Sequence, residues 1–189
     1  MTTFTTYKTW TGVALPASEM NTYVRDNGNY LYERAPMWKI YKSADESRNT
    51  TTTPANDSTL LWAVEANDVW HFQLWLYYTG ANTTMDLKVA WSVPASATMA
   101  WGSFRDTTSS MASLAPVITT ATPETLWTES GTLSYGTSAG GNHIAVLSGL
   151  VFIAGTAGNV NFQWSQVTSN GSNLTVKKGS FLFITKISL

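Results

Sequence analysis

Two histidines, twelve carboxylates and many hydroxyls are the reactive side chains of this chain, which has no cysteine. His71 and His143 lie in separate apolar stretches, outside any His-x-His or His-x-x-x-His pattern that would aim two imidazoles at one metal. A metal site would need both of them and a carboxylate such as Asp86 to converge, so satisfied strand histidines are the expected outcome. Glycoside hydrolysis needs two facing carboxylates, and Glu124 with Glu129 or Asp106 are the candidates. Their Ser/Thr-rich surroundings give no reason for a shifted pKa, and solvated acids are expected. The hydroxyls of Thr107, Thr108, Ser109 and Ser110 lack a Gly-x-Ser-x-Gly elbow. Residues 136–141 resemble a phosphate loop in their glycines alone, with no Lys and no following helix. Without cysteine there is no thiol nucleophile, disulfide or Cys-containing zinc site. The chain reads as a non-enzyme with no metal and no cofactor.

The elements that would carry these residues are rich in aromatics and poor in charge. Charged residues make up 12% of the 189, against about 25% in an average protein, while Trp alone occurs nine times. So much aromatic surface implies subunit contacts in addition to a core. A net charge of −1, with Lys177-Lys178 as the densest basic site, argues against nucleic-acid binding. No apolar run approaches the roughly 20 residues of a membrane span, and the N-terminus lacks the pattern of a secretory signal. Synthesis in a cytosol and a soluble product are therefore expected.

Residues 69–78 place Trp70, Phe72, Leu74, Leu76 and Tyr78 on one face and Val69, His71, Gln73, Trp75 and Tyr77 on the other. After a turn at Gly80-Ala81-Asn82, residues 85–93 alternate as well, and the two arms read as a β-hairpin. The first arm is apolar on both faces, so a second sheet or a partner chain must cover each. Further strands are expected over 37–42, 60–64, 100–105, 143–153, 159–167, 174–176 and 180–187, with a weak one at 124–128. Trp101, Trp127 and Tyr135, near polar loops, are candidates for stacking on sugar rings. Upstream, residues 16–36 give the one convincing helix signal, with Ser18 as N-cap, Pro36 as stop, and Met20, Val24, Asn27 and Leu31 as a stripe. The boundary near Pro36 separates an N-terminal arm and short helix, residues 1–36, from a β-rich body, residues 37–189. Eight to ten strands with turn signals between them make an all-β antiparallel jelly-roll sandwich the expected fold.

The string Trp10-Thr11-Gly12-Val13-Ala14-Leu15-Pro16-Ala17-Ser18-Glu19-Met20-Asn21-Thr22-Tyr23-Val24-Arg25-Asp26-Asn27 resembles the opening of many virion structural proteins of tailed bacteriophages. In the body, Trp70-His71-Phe72-Gln73-Leu74, Gln163-Trp164-Ser165-Gln166 and Gly179-Ser180-Phe181-Leu182 resemble the TNF/C1q-like jelly-roll knobs of phage fibre and decoration proteins. That resemblance implies a homotrimer packed through aromatic strand faces, with Val69, His71, Gln73, Trp75 and Tyr77 at the threefold interface. The same aromatics would otherwise all belong to the core of a monomer. The resemblance does not place the protein on the particle; because the chain is short, with no long fibre shaft, a capsid decoration or head-fibre protein is expected, made in the host bacterial cytoplasm and placed on the virion surface. Its N-terminal segment, through Trp10, Met20, Val24, Arg25, Asn27 and Leu31, would dock on the major capsid protein. The alternative is a tail-tip receptor-binding protein, held by tail proteins, whose knob binds host surface glycan.

Overall fold

The computed structural model describes residues 16–29, 37–104 and 132–187. Two compact units divide the chain, Met1–Met37 and Trp38–Leu189. In the first, helix α1 (Ala17–Met20) opens at Pro16, whose extended backbone and fixed φ suit a helix start. A π-helical turn (Asn21–Asp26) follows, and helical backbone continues through Asn29. Ser18 is therefore not the cap that its residue type predicts. It lies inside the helix, where its carbonyl accepts the Thr22 hydroxyl at 3.0 Å.

The second unit holds eleven strands among the described residues: β1 (Trp38–Tyr41), β2 (Glu46–Arg48), β3 (Ala55–Val64), β4 (Val69–Gly80), β5 (Leu87–Ser92) and β6 (Thr98–Phe104) come first. They are followed by β7 (Leu133–Tyr135), β8 (Asn142–Phe152), β9 (Gly158–Gln166), β10 (Leu174–Val176) and β11 (Phe181–Lys186). The larger, seven-stranded sheet is centred on β4, which pairs with β8 along one edge and with β11 and β10 along the other. Outside these, β6 pairs with β8, β1 with β11 and β2 with β10. The smaller sheet runs β3-β9-β5-β7, and every pairing in both sheets is antiparallel. From β2 to β10 each successive strand changes sheet, which is the winding of a jelly roll.

That winding corrects one expectation. β4 and β5 are not the two arms of a hairpin, because they belong to opposite sheets. The alternation in each arm is real, but it records which face is buried and not which strand is the neighbour. Trp70, Phe72, Leu74, Leu76 and Tyr78 turn inward and meet Leu87, Val89 and Trp91 of β5 and Val160, Phe162 and Trp164 of β9 across the sandwich. The Phe72 and Trp91 ring centroids are 4.6 Å apart, and Trp91 meets Phe162 edge-on at 5.3 Å. Each such side chain, fully buried, contributes about 1.5–3 kcal/mol. Gly149 of β8 makes room for this packing, since a Cβ there would lie 2.4 Å from the Ala100 carbonyl oxygen and 2.8 Å from the Phe72 ring.

Charge also links the layers. The register of β3 on β9 jumps between Asn56 and Leu61, and this bulge turns Asp57 into the interior. Asp57 Oδ1 accepts the amides of Thr59 and Leu60 at 2.9 and 3.0 Å, and Oδ2 accepts the Trp164 indole N–H at 3.0 Å. Lys42, one residue past β1 and equally buried, donates to both Asp57 oxygens at 2.9 Å and to Glu46 Oε2 at 2.8 Å. Burial pushes the Glu46 carboxyl up, yet hydrogen bonds from Lys42, from the hydroxyl and amide of Ser58, and from Arg48 hold it at about 2. The Arg48 guanidinium lies 4.0 Å from the Trp164 ring centroid and donates to the backbone oxygens of Ala55, Asn56 and Trp164.

Candidate functional site

Side chains alternate along a strand, so the inward set of β4 fixes its outward set as Val69, His71, Gln73, Trp75, Tyr77 and Thr79. The register extends that outward face over the whole sheet. Opposite these residues on β8 stand Phe152, Leu150, Ser148, Val146, Ile144 and Asn142. On the other side Phe181, Phe183 and Thr185 of β11 lie beside Trp75, Gln73 and His71, and Tyr41 of β1 lies beside Phe181. Trp75 and Phe181 stack at 5.9 Å and 15°, and Phe181 meets Phe183 edge-on at 5.1 Å. Tyr41, Ile144 and Phe152 are 54, 40 and 46% exposed, so this is open apolar surface and not a second core. Lys39 is the one fixed charge among the described outward positions of β1, β11, β4, β8 and β6. His71, also exposed, lies 3.3 Å through Nε2 from the Ser148 hydroxyl. A contiguous apolar face of this kind on a protein surface marks a contact with another macromolecule.

All five residues expected at a trimer interface, Val69, His71, Gln73, Trp75 and Tyr77, thus share this face. The contributions of Tyr41, Phe181 and Phe183 were not anticipated, because only the register brings β1 and β11 alongside β4. The run Ile144, Val146, Leu150 and Phe152 did carry a signal, since its apolar positions share one parity. On the N-terminal helix, Met20 and Val24 are exposed, Arg25 pairs with Asp26 at 2.8 Å, and Asn27 is buried. Trp10 and Leu31 lie outside the described residues, as do Asp106, Glu124, Glu129, Trp127 and the hydroxyls of 107–110.

Two sugar-stacking candidates are corrected. Trp101 and Tyr135 are 0 and 5% exposed, because the strand parity of β6 and β7 turns both into the core. The two histidines lie on opposite faces of the larger sheet. His143 faces inward, stacks on Tyr78 at 5.1 Å, and through Nε2 accepts the Ser138 amide at 3.0 Å, with the Ser138 hydroxyl also 3.0 Å away. Burial lowers its pKa. Asp86 accepts the Thr137 amide at 3.1 Å instead of joining either imidazole. Among the described residues no three His, Cys, Asp or Glu side chains gather to hold a metal, and no helix is long and apolar enough to cross a membrane.

No protein-family model matches the chain, and no curated protein sequence matches it. Solved structures do match by fold. The Eiger TNF of S. frugiperda is similar at 10% identity and TM-score 0.39, over 81% of this chain and 94% of that one. The tripod (BppUct-A-L) from the baseplate of bacteriophage Tuc2009 is similar at 5% identity and TM-score 0.35, over 97% of this chain and 78% of its own.

Proposed function

We propose that this chain is a non-enzymatic structural component of a tailed-phage virion, a homotrimer whose β-rich knobs pack copy against copy through the outward face of the larger sheet. The observation that carries the assembly is that face, largely aromatic and aliphatic over four adjoining strand rows, with neutral polar positions such as Gln73, Ser148 and Thr185 among them and Lys39 as its one fixed charge. Further copies of the same chain are its occupants. A charged partner would find nothing here to pair its ions, whereas an identical apolar face is covered without burying an unpaired charge. The resemblance of residues 10–27 to phage virion proteins supports the setting. The N-terminal segment, with Met20 and Val24 exposed, is the part that docks on the major capsid protein. Three such arms engaging related sites at once gain avidity that one weak contact lacks.

Light scattering on the full chain is expected to give three chain masses, and Trp75→Glu combined with Phe183→Glu a single one. A wild-type monomer at micromolar concentration would remove the assembly. Immunogold microscopy of intact particles with antibody to residues 37–189 tests the location. Label over the head supports capsid decoration. Label at the tail tip alone replaces it with a receptor-binding role, in which tail proteins hold the chain and host surface glycan is the ligand. Unlabelled particles would overturn the virion reading.

A further inference from the structure

The Lys42 amine meets two carboxylates inside the sandwich. Its side chain is 1% exposed and that of Asp57 0%, and Glu46, 21% exposed, closes the cluster. Because Nζ lies 2.9 Å from both Asp57 oxygens, the carbon between them is within van der Waals reach of the nitrogen. A simple ion pair needs one acid. Here a second acid sits 2.8 Å from the same amine, and its orientation is fixed by the Ser58 amide at 3.1 Å, the Ser58 hydroxyl at 2.7 Å and Arg48 at 2.6 Å.

We propose that Lys42 and Asp57 condense into an intramolecular isopeptide bond, with Glu46 as the group that shuttles the proton. One proton first passes from Nζ to Asp57 Oδ2, which leaves a neutral amine and a neutral acid in contact. The Nζ lone pair then attacks Cγ. The negative charge that develops on Oδ1 faces the amides of Thr59 and Leu60, already placed as an oxyanion hole. Glu46 Oε2 takes a proton from the cationic nitrogen and delivers it to Oδ2, so that Oδ2 leaves as water while the Trp164 indole N–H stays on the departing oxygen. In sum an ammonium and a carboxylate become a secondary amide and one water: a C–N bond forms, a C–O bond breaks, and nothing is oxidised or reduced. Condensation is unfavourable between free partners in water, but groups held in contact react at effective concentrations of about 10⁵–10⁸ M. The chain has no cysteine, and this bond would give it a covalent tie between the β1–β2 connection and β3.

Intact-mass spectrometry of the full chain decides the matter. The expected mass is one water below that of the sequence. After trypsin, Lys42 should remain uncut and residues 40–48 should stay joined to residues 49–88 through Lys42 and Asp57. Lys42→Met and Asp57→Ala should each restore the full mass, a readout that holds whether or not the variant folds. Glu46→Gln should do the same, and persistent water loss in that variant would overturn the role given to Glu46. A wild-type chain of full mass with Lys42 cleaved would overturn the bond itself. So would a water loss that survives Lys42→Met, or one that maps to Asp57 and Ser58 alone, which is the mark of a backbone succinimide.

Discussion

Asp57 gathers five hydrogen bonds on one carboxylate, two from Lys42 and one each from Thr59, Leu60 and Trp164. Removing it strands a buried amine, and Asp57→Ala is expected to cost about 3–5 kcal/mol of stability in urea titrations. The Lys177–Asp45 pair, as short at 2.7 Å but exposed, should behave differently, and Lys177→Ala should leave the urea midpoint in place. His143 makes a prediction in pH. Its folded pKa lies below the ordinary 6.5, so the unfolded chain binds the proton more readily. Its contribution to stability is complete above pH 6.5 and is lost as pH falls from there toward the folded pKa. Melting temperatures across that window should decline in the wild type and decline less in His143→Gln. At this scale the sequence was partly legible. The two histidines do lie on separate strands, as their spacing suggests, His71 on β4 and His143 on β8, but Asp57 sat unread between Asn56 and Ser58. Only the bulge, a feature of pairing with distant β9, turns it inward.

At the scale of elements, period-two patterning located the strands of the body well, from Trp38 to Lys186, because burial of one face is a local property of a strand. It could not say that β4 and β5 lie in opposite layers. Neighbouring segments in a jelly roll share a core and not hydrogen bonds, and both arrangements produce the same alternation. The short strands β2 and β7 were missed for a related reason: three residues in polar surroundings carry too little pattern. The outward face of the larger sheet became visible only once register set β11 and β8 beside β4. Gly149 is a test of how tightly the central pair is packed. Because the atoms that its Cβ would meet include the Ala100 backbone oxygen, which cannot rotate away, Gly149→Ala should destabilise by about 1–3 kcal/mol in chemical denaturation. Gly102→Ala, where a Cβ meets nothing within 4 Å, is the matched control and should cost less.

For the whole molecule, the proposed function gives the two units separate roles, docking for residues 1–36 and assembly for the sheet face. Deleting residues 1–36 should leave the stoichiometry of the knob unchanged in light scattering and abolish its attachment to particles. If deletion instead yields monomers, the helix and not the sheet face holds the copies together. The alternation of strands between layers reaches beyond the finished structure, into how it is made. Ala55 must find Trp164, and Trp38 must find Ile184, before either sheet is complete. Loop closure over such separations is costly in entropy and is repaid late, so refolding should be slow for a chain of this size, on the order of milliseconds to seconds in stopped flow. Throughout that interval Trp75, Phe181 and their neighbours have no partner. If copies assemble as proposed, a chain that has not yet found its mates can also clump through the same aromatics, and refolding at lower temperature should raise the yield of assembled form.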